Sequence, residues 1–195
     1  MLDVTISSAN NRLIKLARQL STRSGREKSD AFIVEGVRAV EEALAAKVVQ
    51  AVLVDEAQID KPSMLALLRS SIEQTVESAL VETKLFNSLV ETQTPQGILA
   101  IVGDISQALP DALSGNPRFI VVSDGLQDPG NLGTLIRLAD AVGADAFMAT
   151  RGSVDILNPK VVRTSMGSLF HLIIVQDIDG AQLAAQLKEI GRAHV

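Results

Sequence analysis

A chain in which short β-branched runs alternate with stretches of helical period is confined to layered α/β folds. Residues 119–147, FIVVSDGLQDPGNLGTLIRLADAVGADAF, carry that alternation most completely. The apolar run from Phe119 to Ser123 reads as a strand, followed by a polar Gly/Pro/Asp loop. Asn131 is then expected to open a helix that ends at Gly143, ahead of a second apolar run from Ala146 to Ala149. Asn is among the best N-caps, Gly133 leaves room for a close approach, and Gly143 suits the left-handed position after a helix. Leu132, Leu135, Ile136, Leu138, Ala139 and Val142 give the helix an apolar face, in which Arg137 has no place. Its guanidinium is expected on the second turn, near the helix end where backbone N–H groups and the dipole favour anions.

Gly125, Gly130 and Gly133 suggest a phosphate cradle, but their spacing is Gly-x4-Gly-x2-Gly, not the Gly-x-Gly-x2-Gly of a dinucleotide-binding turn. The sequence also has no Gly-Lys-Ser/Thr phosphate loop. Nucleotide-dependent redox and NTPase chemistry are therefore not supported.

Bulk properties narrow the chemistry. At 195 residues, 47% hydrophobic and 21% charged, the chain can bury a core and is not a disordered polymer. No run approaches the ~18 apolar residues of a membrane span, and the first residues lack a signal-peptide core, which together indicate a cytoplasmic protein. The absence of Cys removes thiolate catalysis and Cys-based zinc sites, and two His, at 171 and 194, argue against a His metal cluster. A net charge of −5 argues against indiscriminate nucleic-acid binding. Residues 1–28 differ: Arg12, Lys15, Arg18, Arg23, Arg26 and Lys28 face only Asp3 and Glu27, a local net of +4. Tyr and Trp are absent, so a stacking platform for single strands is not expected.

From the N-terminus, Ser8 to Asn11 offer caps for a helix with Leu13, Ile14, Leu16, Ala17 and Leu20 at helical spacing. Its cations and those of the following STRSGREKSD, read as a loop, can grip a phosphodiester backbone without reading bases; a solvated helix face explains the same residues. A strand at Ala31 to Val34 turns at Glu35-Gly36 into a helix from Val37 to Ala46. There follow a strand from Val49 to Val54, a helix after Pro62, a strand near Gln74 to Val76, a helix near Glu82 to Leu89 and a strand from Gly97 to Val102. Such alternation favours parallel pairing. Residues 103–117, with two Pro, two Gly and two Ser, read as a linker. Domains are thus expected at 1–103 and 118–195, with 104–117 between them. In the second, Asn158 caps a helix with Pro159 at its first position and an end near Gly167, His171 starts a strand to Val175, and a helix from Gly180 to Ile190 stops at Gly191. Arg192 to Val195 read as the start of another strand, so the chain is expected to be cut in mid-fold.

The residues Pro129, Asn131, Gly133, Arg137 and Gly143 resemble the first motif of the SpoU/TrmH family of RNA 2′-O-ribose methyltransferases, within the knotted SPOUT superfamily. Asn158 to Gly167, NPKVVRTSMG, is similar to the family's second motif. REKSDAFIVEGVRAVEEAL resembles the substrate-binding domain that precedes the catalytic domain in many members, with Arg26, Lys28, Glu35, Gly36 and Arg38 matching. Thr94-Pro95-Gln96-Gly97 also looks like the family, although turn chemistry alone selects Pro and Gly there. The third motif, a Ser-Leu-Asn segment, is not in the chain.

The resemblance implies an α/β protein: an N-terminal α/β/α RNA substrate-binding domain, then a Rossmann-like SPOUT methyltransferase domain whose knot segment is missing. It implies S-adenosylmethionine as methyl donor, bound by residues expected beyond Val195, ribosomal or transfer RNA as substrate, and a homodimer. It makes Arg137 the principal catalytic candidate, with Asn131 and Ser165 in the same pocket, and Lys160, Arg163 and Arg38 joining the N-terminal cations in RNA binding. Bland readings stand beside these. Arg137 can pair with Asp140 or Asp128, Asn131 can serve only as a cap, Ser165 as a small packing residue, and Glu35 as a turn carboxylate. His171 reads as structural. The alternative function is a non-catalytic RNA-binding module that lacks the cofactor site.

Overall fold

The computed structural model describes residues 5–189, and the sequence-predicted stop at Gly191 and strand at 192–195 lie outside them. Asn11 caps the first helix as its position predicts, its Oδ1 accepting from Leu13 N at 2.8 Å. The first half runs β1 (Thr5–Ile6), α1 (Arg12–Gln19), α2 (Arg23–Ser29), β2 (Ala31–Glu35), α3 (Val37–Ala45), β3 (Val49–Asp55), a 3-10 turn (Glu56–Gln58), α4 (Pro62–Glu73), β4 (Glu77–Val81), α5 (Thr83–Asn87) and β5 (Ile98–Gly103).

Three expectations change here. The supposed basic loop is the helix α2, capped by Thr22, whose hydroxyl accepts from Gly25 N at 3.1 Å. A Cβ at Gly25 would stand 1.9 Å from Gln19 O, so glycine lets α1 and α2 meet at that corner. The strand expected at 74–76 begins at Glu77, because Thr75 takes φ +61° in the turn that ends α4. Finally, the five-stranded sheet, ordered β1-β4-β3-β5-β2, is mixed: β5 runs antiparallel to both β2 and β3, while β3–β4 and β1–β4 are parallel. Apolar periodicity marks a strand without fixing its direction.

The second half comprises α6 (Leu109–Ser114), β6 (Ile120–Ser123), α7 (Pro129–Ala141), β7 (Ala146–Thr150), α8 (Pro159–Ser165), a 3-10 turn (Ser168–His171), β8 (Ile173–Ile178) and α9 (Gly180–Glu189). Its parallel sheet is ordered β6-β7-β8. Residues 104–117 are not a bare linker. Leu109 and Ala112 of α6 are buried with Met148, Val175 and Leu183, and Ser106 bridges to Ile174 beside β8. His171 ends the 3-10 turn instead of starting β8.

The two sheets share one apolar core, in which Phe32, Val34 and Val40 pack with Leu132, Ile136, Phe147 and Leu169. Phe32 also stacks on Phe170, with centroids 6.3 Å apart. Close backbone approach closes the seams. A Cβ at Gly133 of α7 would fall 2.7 Å from Val161 O and 1.9 Å from Thr164 Oγ1 of α8. Gly133→Ala is therefore expected to cost about 1–3 kcal/mol by forcing the helices apart, read as a lower urea midpoint. At Gly167, φ is +95° and a Cβ would stand 2.6 Å from Glu42 Cγ, which brings α3 against the turn after α8.

Candidate functional site

Helix α7 starts one turn earlier than its apolar pattern implies. Asp128 is the cap, with Oδ1 accepting from Asn131 N at 2.7 Å, and Pro129 occupies the first turn. Asn131 is thus inside the helix, exposed, and does not cap it. Leu132, Ile136 and Ala139 are buried as expected, whereas Leu138 and Val142 are 57% and 61% exposed. Gly143 takes φ +74°, as the helix end requires.

Arg137 is exposed on this helix and makes no ion pair among the described residues. Both carboxylates that its neighbourhood offered are engaged elsewhere: Asp128 on the helix mouth, Asp140 on His171. The guanidinium lines a cavity of about 350 Å³ with Asp140, Ala141, Met166, Ser168 and His171, and with Arg38 and Glu42 of α3. That cavity lies on the junction of the two halves. A second cleft of about 250 Å³ continues past the shared Arg38 and Met166 to Glu35, Gly36, Gln96 and Arg163. Gly36 has no side chain to cap α3, and Gln96 supplies the missing acceptor, its Oε1 taking a hydrogen bond from Val37 N at 2.8 Å. Glu35 is held by the Thr92 hydroxyl and lies 3.8 Å from Arg163 Nη1.

His171 is the site residue that the sequence did not reveal. Its Nδ1 lies 3.0 Å from Asp140 Oδ2 and its Nε2 3.2 Å from Glu42 Oε2. The hydrogen bond with Asp140 raises its pKa above the ordinary imidazole value; burial opposes this, and Glu42 adds to the rise. Burial pushes the Asp140 carboxyl up, but hydrogen bonds from Ser168 and His171, with the imidazolium charge, outweigh it and hold the carboxyl below its usual range.

The remaining candidates divide. Arg38 and Arg163 line the clefts, Arg38 with a long 3.7 Å pair to Glu42. Lys160 is exposed, and its backbone N–H donates to the Asn158 cap at 2.9 Å. Ser165 is fully buried and its hydroxyl donates to Val162 O at 2.7 Å, so it is satisfied by its own helix and faces no cleft. Arg26, expected among the RNA-binding cations, is 5% exposed; its Nη1 donates to Leu20 O at 2.9 Å and Ser21 O at 3.1 Å, and its Nε and Nη2 grip Asp155, so its guanidinium ties the two halves together. Arg23 is committed to Glu27 and Asp177, Arg12 pairs with Glu77, and Arg18 donates to Ser88 Oγ at 3.1 Å. Lys15 and Lys28 are exposed.

The two clefts that meet at Arg38 and Met166 carry charged side chains in their walls, Arg137 and Arg163 among them, which suits an extended anion and not an adenosyl group. A separate cleft of about 200 Å³ has the more apolar walls of Val37, Leu44, Ala66 and Leu67. Among the described residues no cluster of His, Cys, Asp or Glu is arranged to hold a metal, and no helix is long and apolar enough to cross a membrane.

Comparison with known proteins agrees with this layout. Residues 11–100 match the MRM3-like substrate binding domain, and residues 118–194 match the SpoU rRNA Methylase family. The chain is 36% identical over 173 residues to the 23S rRNA (guanosine(2553)-2′-O)-methyltransferase RlmP of Bacillus subtilis, covering 88% of this chain and 64% of that protein. It is 29% identical over 199 residues to the mitochondrial rRNA methyltransferase 3A of Danio rerio, covering 96% of this chain and 43% of that protein. The chain thus spans between about two fifths and two thirds of the length of these relatives. The crystal structure of the SpoU methyltransferase AviRb from Streptomyces viridochromogenes, in complex with the cofactor AdoMet, superposes with a TM-score of 0.77 at 28% identity, covering 93% of this chain and 68% of that one. The chain belongs to the SpoU rRNA methylase family and carries an MRM3-like substrate-binding domain ahead of its methylase portion.

Proposed function

We propose that the protein transfers a methyl group from S-adenosylmethionine to a ribose 2′-oxygen of ribosomal RNA. The observation that carries this reading is the guanidinium of Arg137, which makes no ion pair among the described residues and faces the same cavity as Arg38 from the substrate-binding half. The relative RlmP, named as a 2′-O-methyltransferase of 23S rRNA, supports the reaction and the substrate, and the cofactor-bound neighbour supports the donor. The donor supplies an electrophilic methyl group; its pocket is assigned to none of the described residues.

The protein's part is orientation and charge. A 2′-hydroxyl is a poor nucleophile, and guanidinium stays protonated, so Arg137 is no literal base. It holds the phosphate beside the target ribose and stabilises negative charge as it develops on the 2′-oxygen. Arg38 and Arg163 bind the flanking backbone, with Lys160 on the same helix as Arg163, while Asn131 lies six residues, nearly two turns, before Arg137 on α7. The working division is 1–103 for RNA positioning and 118–195 for transfer, with α6 in the segment between them. A homodimer is part of the proposal, supported by Leu138 and Val142, exposed one turn apart beside Arg137, and by Met166 at 48% exposure. The proposed compartment is the cytoplasm.

Titration of deproteinised 23S rRNA into the chain tests the substrate half. The expected result is binding that weakens steeply with salt and loses affinity in Arg137→Ala. RNA binding without methyl transfer by the protein carrying this chain would instead identify a non-catalytic module, and no RNA binding would refute the proposal.

A further inference from the structure

We propose that His171 is a positioning residue that keeps Arg137 and Arg38 open to phosphate by holding the two carboxylates that would otherwise neutralise them. This rests on reading the cavity as the site of the RNA backbone. Asp140 follows Arg137 by three residues on α7, and Glu42 follows Arg38 by four on α3. At those spacings opposite charges meet on a helix face. Here they do not pair fully: Arg137 has no ion pair among the described residues, and the Arg38–Glu42 contact is long at 3.7 Å. The imidazole lies between the two carboxylates instead, at 3.0 Å from Asp140 and 3.2 Å from Glu42.

Because each ring nitrogen faces a carboxylate, each must donate, and only the imidazolium has two N–H groups. The charged groups facing it across the cavity are Arg137 and Asp140 from α7 and Arg38 and Glu42 from α3; its own turn contributes the Ser168 hydroxyl, which bonds Asp140. Loss of the proton leaves one bare nitrogen against a carboxylate. That carboxylate is then free to turn to the arginine on its own helix, and the guanidinium it meets is withdrawn from phosphate. The raised pKa of His171 is consistent with the imidazolium being the resting form.

The test compares 23S rRNA affinity across pH for the unaltered chain, His171→Asn, Asp140→Asn and the double variant His171→Asn/Asp140→Asn. The expected result is weaker binding of the unaltered chain as pH rises through the imidazolium titration. His171→Asn should bind up to about tenfold more weakly with a flat profile, and adding Asp140→Asn should restore most of the loss. A purely structural histidine would give no such rescue, so a double variant as weak as the single one overturns the inference, as does an unchanged pH profile in His171→Asn. Should His171→Asn fail to fold, the unaltered chain's pH profile and Asp140→Asn carry the comparison, the latter predicted to bind less pH-dependently. Protection of the Arg137 Nε–H against hydrogen exchange, relative to the intrinsic base-catalysed rate at each pH, gives a readout without RNA: it increases as pH rises, or in His171→Asn, if Asp140 turns to it. If the chain binds no RNA the functional reading fails by itself, and an Nε–H protection insensitive to both changes overturns the role of His171.

Discussion

Arg26→Ala is expected to lower the unfolding free energy by about 3–5 kcal/mol, measured by urea denaturation. The substitution would strand Asp155, whose side chain is 11% exposed against 5% for Arg26, and would leave Leu20 O and Ser21 O without their donor. A buried charge deprived of its partner costs more than the pair itself was worth. Arg26→Met combined with Asp155→Leu should therefore be much milder than the sum of the single changes. RNA affinity of the folded Arg26→Ala fraction should stay unchanged. A loss below about 1 kcal/mol would mean that this pair does not hold the two halves together.

The second large effect is catalytic. Arg137→Lys is expected to reduce methyl transfer by about 10²–10³-fold while leaving the melting profile intact. The residue is exposed and makes no ion pair among the described residues, so stability should be insensitive to the change. Lysine keeps a positive charge but loses the planar fork that can hold a phosphate oxygen and the 2′-oxygen together. The comparison is kcat/KM on one RNA at one salt concentration. A variant within a few-fold of the unaltered protein would remove Arg137 from the mechanism.

Much of this was legible in local pattern. Asn11 and Asn158 cap the helices they precede, and Arg137 stood out as a cation inside an apolar helix repeat. Asp128-Pro129 has the same form as Asn158-Pro159 and caps α7, but Asn131, three residues on, carries a side chain that is an equally good cap, so local pattern alone does not choose between them. Helix α2 was hidden by its Ser/Gly content, which signals a loop unless the Thr22 cap is weighed. Periodicity also placed Leu138 and Val142 in the core, yet the described residues cover only one side of α7. The fates of Arg26 and His171 had no local signal. Arg26 meets Asp155 and His171 meets Glu42, each across 129 residues, and only the tertiary fold decides whether such a cation is free, bolted down or holding other charges apart.

The most direct measurement is transfer of the labelled methyl group of S-adenosylmethionine to 23S rRNA by the protein carrying this chain, followed by nuclease digestion and mass spectrometry of the nucleosides. A single ribose 2′-O-methylated nucleoside, in a linkage resistant to alkali and lost with Arg137→Lys, is the predicted result. Label on a base, or RNA bound with no label transferred, would contradict the account.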